Sequence, residues 1–195
     1  MEDKRFQYRM YFFVPYNLSP IQQAIQAGHA GMQYVYGHML RPEMSDFMEN
    51  DKTWIVLNGG TTNNTYEEVV ENGVTSKVAK GTLNQIRDQL QDKDIYISSF
   101  YEPDLNDALT AVCFLADERV WDYENYLDFY DWLIQIKMNS EYKYAMDLKN
   151  PQIRHMSYEQ YKMIFPEYYD QWVKEILGGE TNAFLRNIIK NKKLA

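Results

Sequence analysis

The chain has 195 residues, a net charge of −8 and 45% hydrophobic residues. That length and composition suit one folded core with an extension and exclude a disordered chain. No apolar run approaches the roughly 20 residues that span a bilayer, and the acidic balance argues against a broad grip on a nucleic-acid backbone, which needs clustered Lys and Arg.

The charged start, Met1-Glu2-Asp3-Lys4-Arg5, is followed by the apolar run Met10-Tyr11-Phe12-Phe13-Val14. That run is too short for a signal segment and reads as a central strand over residues 9–16. After the turn Asn17-Leu18, Ser19-Pro20-Ile21-Gln22 announces a helix. Ser19 suits the N-cap, Pro20 the first helical position, and Gln22 completes a capping box. The helix is expected to reach Met39. One face carries Ile21, Ile25, Gly28 and Met32, with Ala24, Ala27 and Val35 beside it, and its small residues are expected to allow close packing on the strand. Gln22, Gln26, His29 and Gln33 follow i, i+4, i+7, i+11 and share another face.

Pro42 interrupts this pattern, and residues 43–50 suit a short helix. Thr53-Trp54-Ile55-Val56-Leu57 reads as a second strand, ended by Asn58-Gly59-Gly60, with Thr61-Thr62-Asn63-Asn64 as a polar loop. Asn72-Gly73 between Val69-Val70 and Val74 is a hairpin signal. Thr82 is expected to cap a helix running to Gln91. Residues 95–100 and 110–115 read as further strands around the acidic loop Tyr101-Glu102-Pro103-Asp104-Leu105-Asn106-Asp107. The alternation of elements to residue 117 predicts an α/β fold, a three-layer sandwich around a small mixed sheet. The lone Cys113 lies in an apolar context, which excludes a disulfide within the chain and suits a buried thiol in a reducing cytoplasm.

Residues 118–195 form a Tyr-rich helical extension with a different character. Helices are expected over 123–138, after the capping box Ser157/Gln160, from Pro166 to Gly178-Gly179, and after Thr181. The aromatics Tyr123, Tyr126, Phe129, Tyr130, Trp132, Tyr168, Tyr169 and Trp172 need burial against the core or a partner subunit.

The run Gln26-Ala27-Gly28-His29-Ala30, on a helix directly after the first strand, resembles the opening of the type II peptidyl-tRNA hydrolases. The matching stretch is Ile21-Gln22-Gln23-Ala24-Ile25-Gln26-Ala27-Gly28-His29-Ala30, in which Gln26, His29 and Ala30 agree with the family pattern. The resemblance covers about the first 117 residues. It implies a small α/β protein, commonly dimeric, that cleaves the ester between a peptide and tRNA. The family's active-site lysine falls on Gln22 and its aspartate near Ser98, while Thr110 matches a threonine that begins the last strand. Ester hydrolysis needs a positioned water, a base and a donor at the oxyanion. Gln22 carries no charge and Ser98 is no base.

The candidate substitutes in catalysis are His29, then Glu102 and Asp104 with Asp107, whose spacing in a loop suits acid–base work or a divalent cation, and then Asp117-Glu118-Arg119. Each has a plain structural reading beside it: a hydrogen-bonded imidazole on a helix flank for His29, and a solvated turn shaped by Pro103 for the two acids, with Asp107. Asp117-Glu118-Arg119 reads as an ion pair at a strand end, and Lys190, Lys192 and Lys193 as solvated lysines. The expected ligand-binding set is Tyr16, Ser19, Gln22, Gln26, His29, Asn58, Gly59, Gly60, Tyr101 and Thr110, around the positive end of the first helix. Gly59-Gly60-Thr61-Thr62 is either a phosphate cradle or a plain turn. No metal or cofactor is called for. The expected function is capture of a small nucleotide or tRNA end by a catalytically degenerate homodimer, such as a viral decoy for a host nucleotide signal. The alternatives are an active hydrolase and a protein–protein adaptor working through the helical extension.

Overall fold

The computed structural model describes residues 5–62, 66–79, 81–140 and 151–195. The chain divides into two compact units. The first comprises Met1–Asp117 with Asn191–Ala195, and the second Glu118–Lys190.

The first unit is built on a mixed four-stranded sheet in the order β2-β1-β6-β5. Strand β1 (Tyr8–Val14) is central because its residues are apolar on both faces. It runs parallel to β2 (Thr53–Asn58), with Phe12 opposite Val56, and antiparallel to β6 (Ala108–Asp117), with Phe12 opposite Cys113. β5 (Ser98–Glu102) pairs antiparallel with β6 and carries an irregularity between Phe100 and Tyr101. At the other edge, Asn58 N–H donates to the Lys193 carbonyl and Ala195 N–H to that of Val56 (2.9 and 3.1 Å), so the 193–195 segment lies against β2. The Asn72-Gly73 signal yields the hairpin β3 (Tyr66–Glu71) and β4 (Val74–Ala79). Its two turn residues have φ of 52° and 79°, which asparagine and glycine tolerate.

Helix α1 (Pro20–His38) begins at the full capping box of Ser19 and Gln22. It packs on β6, β5 and β1. Its buried residues are Gln23, Gln26, Ala27, Ala30, Gly31 and Tyr34, which corrects the expected face. Ile21, Ile25 and Met32 point outward and are 71%, 48% and 73% exposed. The reason is space. A Cβ on Gly31 would sit 3.1 Å from Trp54 and 3.3 Å from Phe12, so small residues are needed where the helix crosses these rings. Met10, Phe12, Val14, Ala111 and Cys113 complete that core with Met44 of α2 (Pro42–Asp46) and Phe47. Tyr11, Phe13 and Phe114 alternate onto the opposite face and contact one another. Burial pushes the Cys113 thiol up to about 12.

Helix α3 (Thr82–Gln91) is capped by Gly81 and not by Thr82. The Thr82 hydroxyl is engaged elsewhere: it accepts from Thr61 N–H (2.8 Å) and lies 3.2 Å from the Gly59 carbonyl. Asn63 and Asn64 of the expected polar loop lie outside the described residues.

The second unit has its own aromatic core of Phe129, Trp132, Tyr158, Tyr161, Tyr169 and Trp172. α4 (Glu118–Trp121) and α5 (Phe129–Ser140) replace the single helix expected over 123–138. Among the described residues, four further α-helices follow: α6 (Pro151–Arg154), α7 (Tyr158–Ile164), α8 (Pro166–Trp172), continued by a π-helical segment over Val173–Leu177, and α9 (Glu180–Ile189). Ser157 and Gln160 form the expected box. The turn after α8 ends at Gly178, φ 75°, where a Cβ would meet the Arg119 guanidinium at 1.9 Å. Gly179, not Thr181, precedes α9. Arg186 is fully buried and donates to the carbonyls of Val120 (3.1 Å), Tyr126 (2.7 Å) and Leu127 (3.3 Å), with its Cζ 4.3 Å from the Tyr123 ring centre.

Candidate functional site

Three members of the polar row on α1 meet β5 in register. Gln26 Nε2 donates to Glu102 (2.6 Å). The His29 ring lies against Phe100, with centres 4.4 Å apart. Gln33 accepts from the Ser98 hydroxyl (3.3 Å). Helix positions spaced three and four apart thus match strand positions spaced two apart, so each periodicity keeps its side chains on one face. The result is a polar seam between a helix and an edge strand.

The seam is most tightly built around Gln26, which is 6% exposed. Its carbonyl oxygen accepts from the buried Thr110 hydroxyl (2.7 Å) while its NH2 group holds Glu102. Thr110 also lies 3.3 Å from the Phe100 carbonyl, at the irregularity in β5. An amide suits this position because it presents an acceptor and a donor at once. His29 is exposed and turns its ring against that of Phe100. Asp104 and Asp107 are exposed in the loop after Glu102, where Pro103–Leu105 forms a single 3-10 turn and Asn106 and Asp107 take φ of 53° and 55°.

The structure therefore brings Gln26, Thr110 and Glu102 together and places His29 beside them on the seam. Ser19 and Gln22 lie at the N-terminus of α1, where Gln22 N–H donates to Ser19 Oγ and Ser19 N–H to Gln22 Oε1. Tyr16 is 60% exposed, and its N–H donates to the Gly60 carbonyl (3.0 Å).

The Gly59-Gly60-Thr61 turn takes the plain form. Gly59 N–H donates to the Val14 carbonyl, Gly60 N–H to Asn58 Oδ1 and Thr61 N–H to Thr82 Oγ1, all at 2.8 Å. No backbone donor of these three remains for a phosphate. Gly60, φ 86°, leaves no room for a Cβ, which would lie 1.9 Å from Thr82 Oγ1.

Tyr101 lies next to Phe100 in sequence, and its hydroxyl accepts from Arg87 (2.6 Å). Burial pulls against it, but Asp88 and Tyr101 hold the Arg87 guanidinium above its ordinary value. Arg87 was not visible as a site residue in the sequence, because its partner lies 14 positions away on a strand. Among the described residues no group of three or more His, Cys, Asp or Glu side chains is placed to hold a metal ion.

In the second unit, Phe129, Trp132, Tyr169 and Trp172 are buried against one another. Lys190 pairs with Asp128 (2.6 Å), and Lys192 lies 5.9 Å from the Phe13 ring centre. Among the described residues no helix is long and apolar enough to cross a membrane. Comparison with family models, with curated proteins and with solved structures finds no match.

Proposed function

We propose that the first unit is a binding module that holds a small nucleotide or a nucleic-acid end at the rim of the α1–β5 seam without turning it over. The observation that carries this reading is the state of the residues proposed for catalysis. Glu102 is bonded to the Gln26 amide and His29 to no carboxylate among the described residues, so the imidazole lacks the orienting acid that a general base requires. What the rim offers is recognition chemistry. His29 presents an exposed imidazole beside the Phe100 ring, an aromatic pair against which a base can stack.

The strand order β2-β1-β6-β5, with β1 parallel to β2 and the hairpin as an insertion, supports a three-layer reading of the fold and the likeness to the type II peptidyl-tRNA hydrolases. In that reading the chain keeps the scaffold and has lost the charged groups of the reaction.

Isothermal titration of the full chain against cyclic and linear di- and trinucleotides tests this. Heat with one of them, lost in His29→Ala, supports the proposal. No heat with any of them defeats it. Peptidyl-tRNA turnover by the wild type that disappears in His29→Ala establishes the hydrolase reading in its place.

A further inference from the structure

The outward face of α1 is apolar along its whole length. Ile21, Ile25, Gly28, Met32, Tyr36 and Met39 follow spacings of four, three, four, four and three, which align them in one stripe opposite the sheet. Tyr36 is 84% exposed, and Ile21 and Met32 are both above 70%. A helix packed on one side ordinarily turns charged residues to water on the other. This one does not: residues 20–40 contain no Asp, Glu, Lys or Arg, in a chain of which a quarter is charged.

We propose that this stripe is the contact between two copies of the chain, which cross antiparallel about a two-fold axis near Gly28. Three observations select a second copy as the occupant. The first is area. Taking about 200 Å² for each fully exposed large side chain, the exposed fractions of the five large residues amount to roughly 700 Å² of apolar surface, close to the roughly 800 Å² per partner of a standard interface. Isolated surfaces rarely leave so large a patch uncovered.

The second is charge. Each copy carries −8, so two copies repel wherever charged faces meet, and this uncharged helix is a face on which they can approach. A lipid surface fits poorly, because helices that lie in membrane interfaces carry Lys and Arg on their polar side and α1 has neither.

The third is shape. Gly28 lies mid-stripe, and a Cβ there would meet nothing within 4 Å, so the backbone is open to a neighbour. Glycine at a crossing lets two helices approach closely. An antiparallel crossing at this point sets Ile21 and Ile25 of one copy against Tyr36 and Met32 of the other, which makes the stripe complementary to itself, as a two-fold interface must be.

The test reads mass and is independent of nucleotide binding. Sedimentation equilibrium of the full chain is expected to give twice the 23.3 kDa chain mass. Met32→Glu, at an exposed position that leaves the fold intact by circular dichroism, is expected to give the single-chain mass. Gly28→Cys, oxidised with oxygen and copper phenanthroline, is expected to form a cross-linked pair, while Gly37→Cys, on the flank of the helix, does not. The native Cys113 is fully buried and stays silent. A wild type that keeps the single-chain mass to hundreds of micromolar overturns the proposal, and so does a dimer that Met32→Glu leaves unchanged. A dimer that Met32→Glu dissolves but that Gly28→Cys does not link overturns the crossing at Gly28.

Discussion

Replacing Arg186 by methionine keeps most of the side-chain volume and removes every donor. In the second unit this guanidinium serves the carbonyls of Val120, Tyr126 and Leu127. Leu127 keeps a partner, since Trp172 Nε1 also donates to its carbonyl at 2.9 Å. The carbonyls of Val120 and Tyr126 lose the Arg186 donor. A buried polar group left without a partner costs about 1–3 kcal/mol. Part of that loss is offset, because the variant no longer buries a cation. The expected net destabilisation is therefore about 3 kcal/mol, or about 12 °C or more in Tm for a unit of this size. Urea unfolding followed by tryptophan fluorescence measures it, since Trp121, Trp132 and Trp172 all belong to this unit. Arg186→Lys, with one ammonium for three carbonyls, should fall between wild type and Arg186→Met. An Arg186→Met midpoint within about 1 kcal/mol of wild type would show that the carbonyls find other donors and refute the clamp.

The remaining predictions use the same kind of measurement. Gln26→Leu leaves the Thr110 hydroxyl and the Glu102 carboxylate without their amide and is expected to cost about 1–3 kcal/mol, whereas Glu102→Gln, which retains an acceptor, should cost less; equal losses in the two variants would contradict the seam as described. Gly178→Ala sets a methyl against Arg119 at a φ of 75° and is expected to lower stability by about 2 kcal/mol, while Gly73→Ala, with a similar φ and open space, should pay the backbone part alone. Burial raises the phenols of Tyr34, Tyr158 and Tyr169 above their ordinary value and pushes Tyr161 up to about 12. Their neutral forms are thus favoured in the folded chain, so this stability is fully present below about pH 10 and is lost as pH rises through the folded values. Urea midpoints at pH 8 and pH 11 should differ, with the lower at pH 11.

Local chemistry made much of the fold legible. The apolar run of β1, the Ser19/Gln22 and Ser157/Gln160 boxes and the Asn72-Gly73 turn each act over three or four residues, and a sequence displays such signals directly. The inward face of α1 differs from the expected one, although small residues do make the contact with the sheet. Here the rings of Trp54 and Phe12 fill the space beneath the helix and leave room for glycine and alanine, so the larger side chains were turned outward. Thr82 looked like a cap, but its hydroxyl serves a turn 21 positions earlier. The shared face of Gln22, Gln26, His29 and Gln33 was readable from spacing alone. What three of those residues meet was not, because Ser98, Phe100 and Glu102 lie more than 60 positions away and follow the period of a strand.

The five residues that return to β2 alter what the sheet offers to its surroundings. An open strand margin is a template on which other chains can add themselves. In this chain that margin is occupied by its own residues 193–195, through the Asn58–Lys193 and Ala195–Val56 bonds. Cutting the chain after Lys190 would strip this selvedge and leave β2 as a growing point for aggregates.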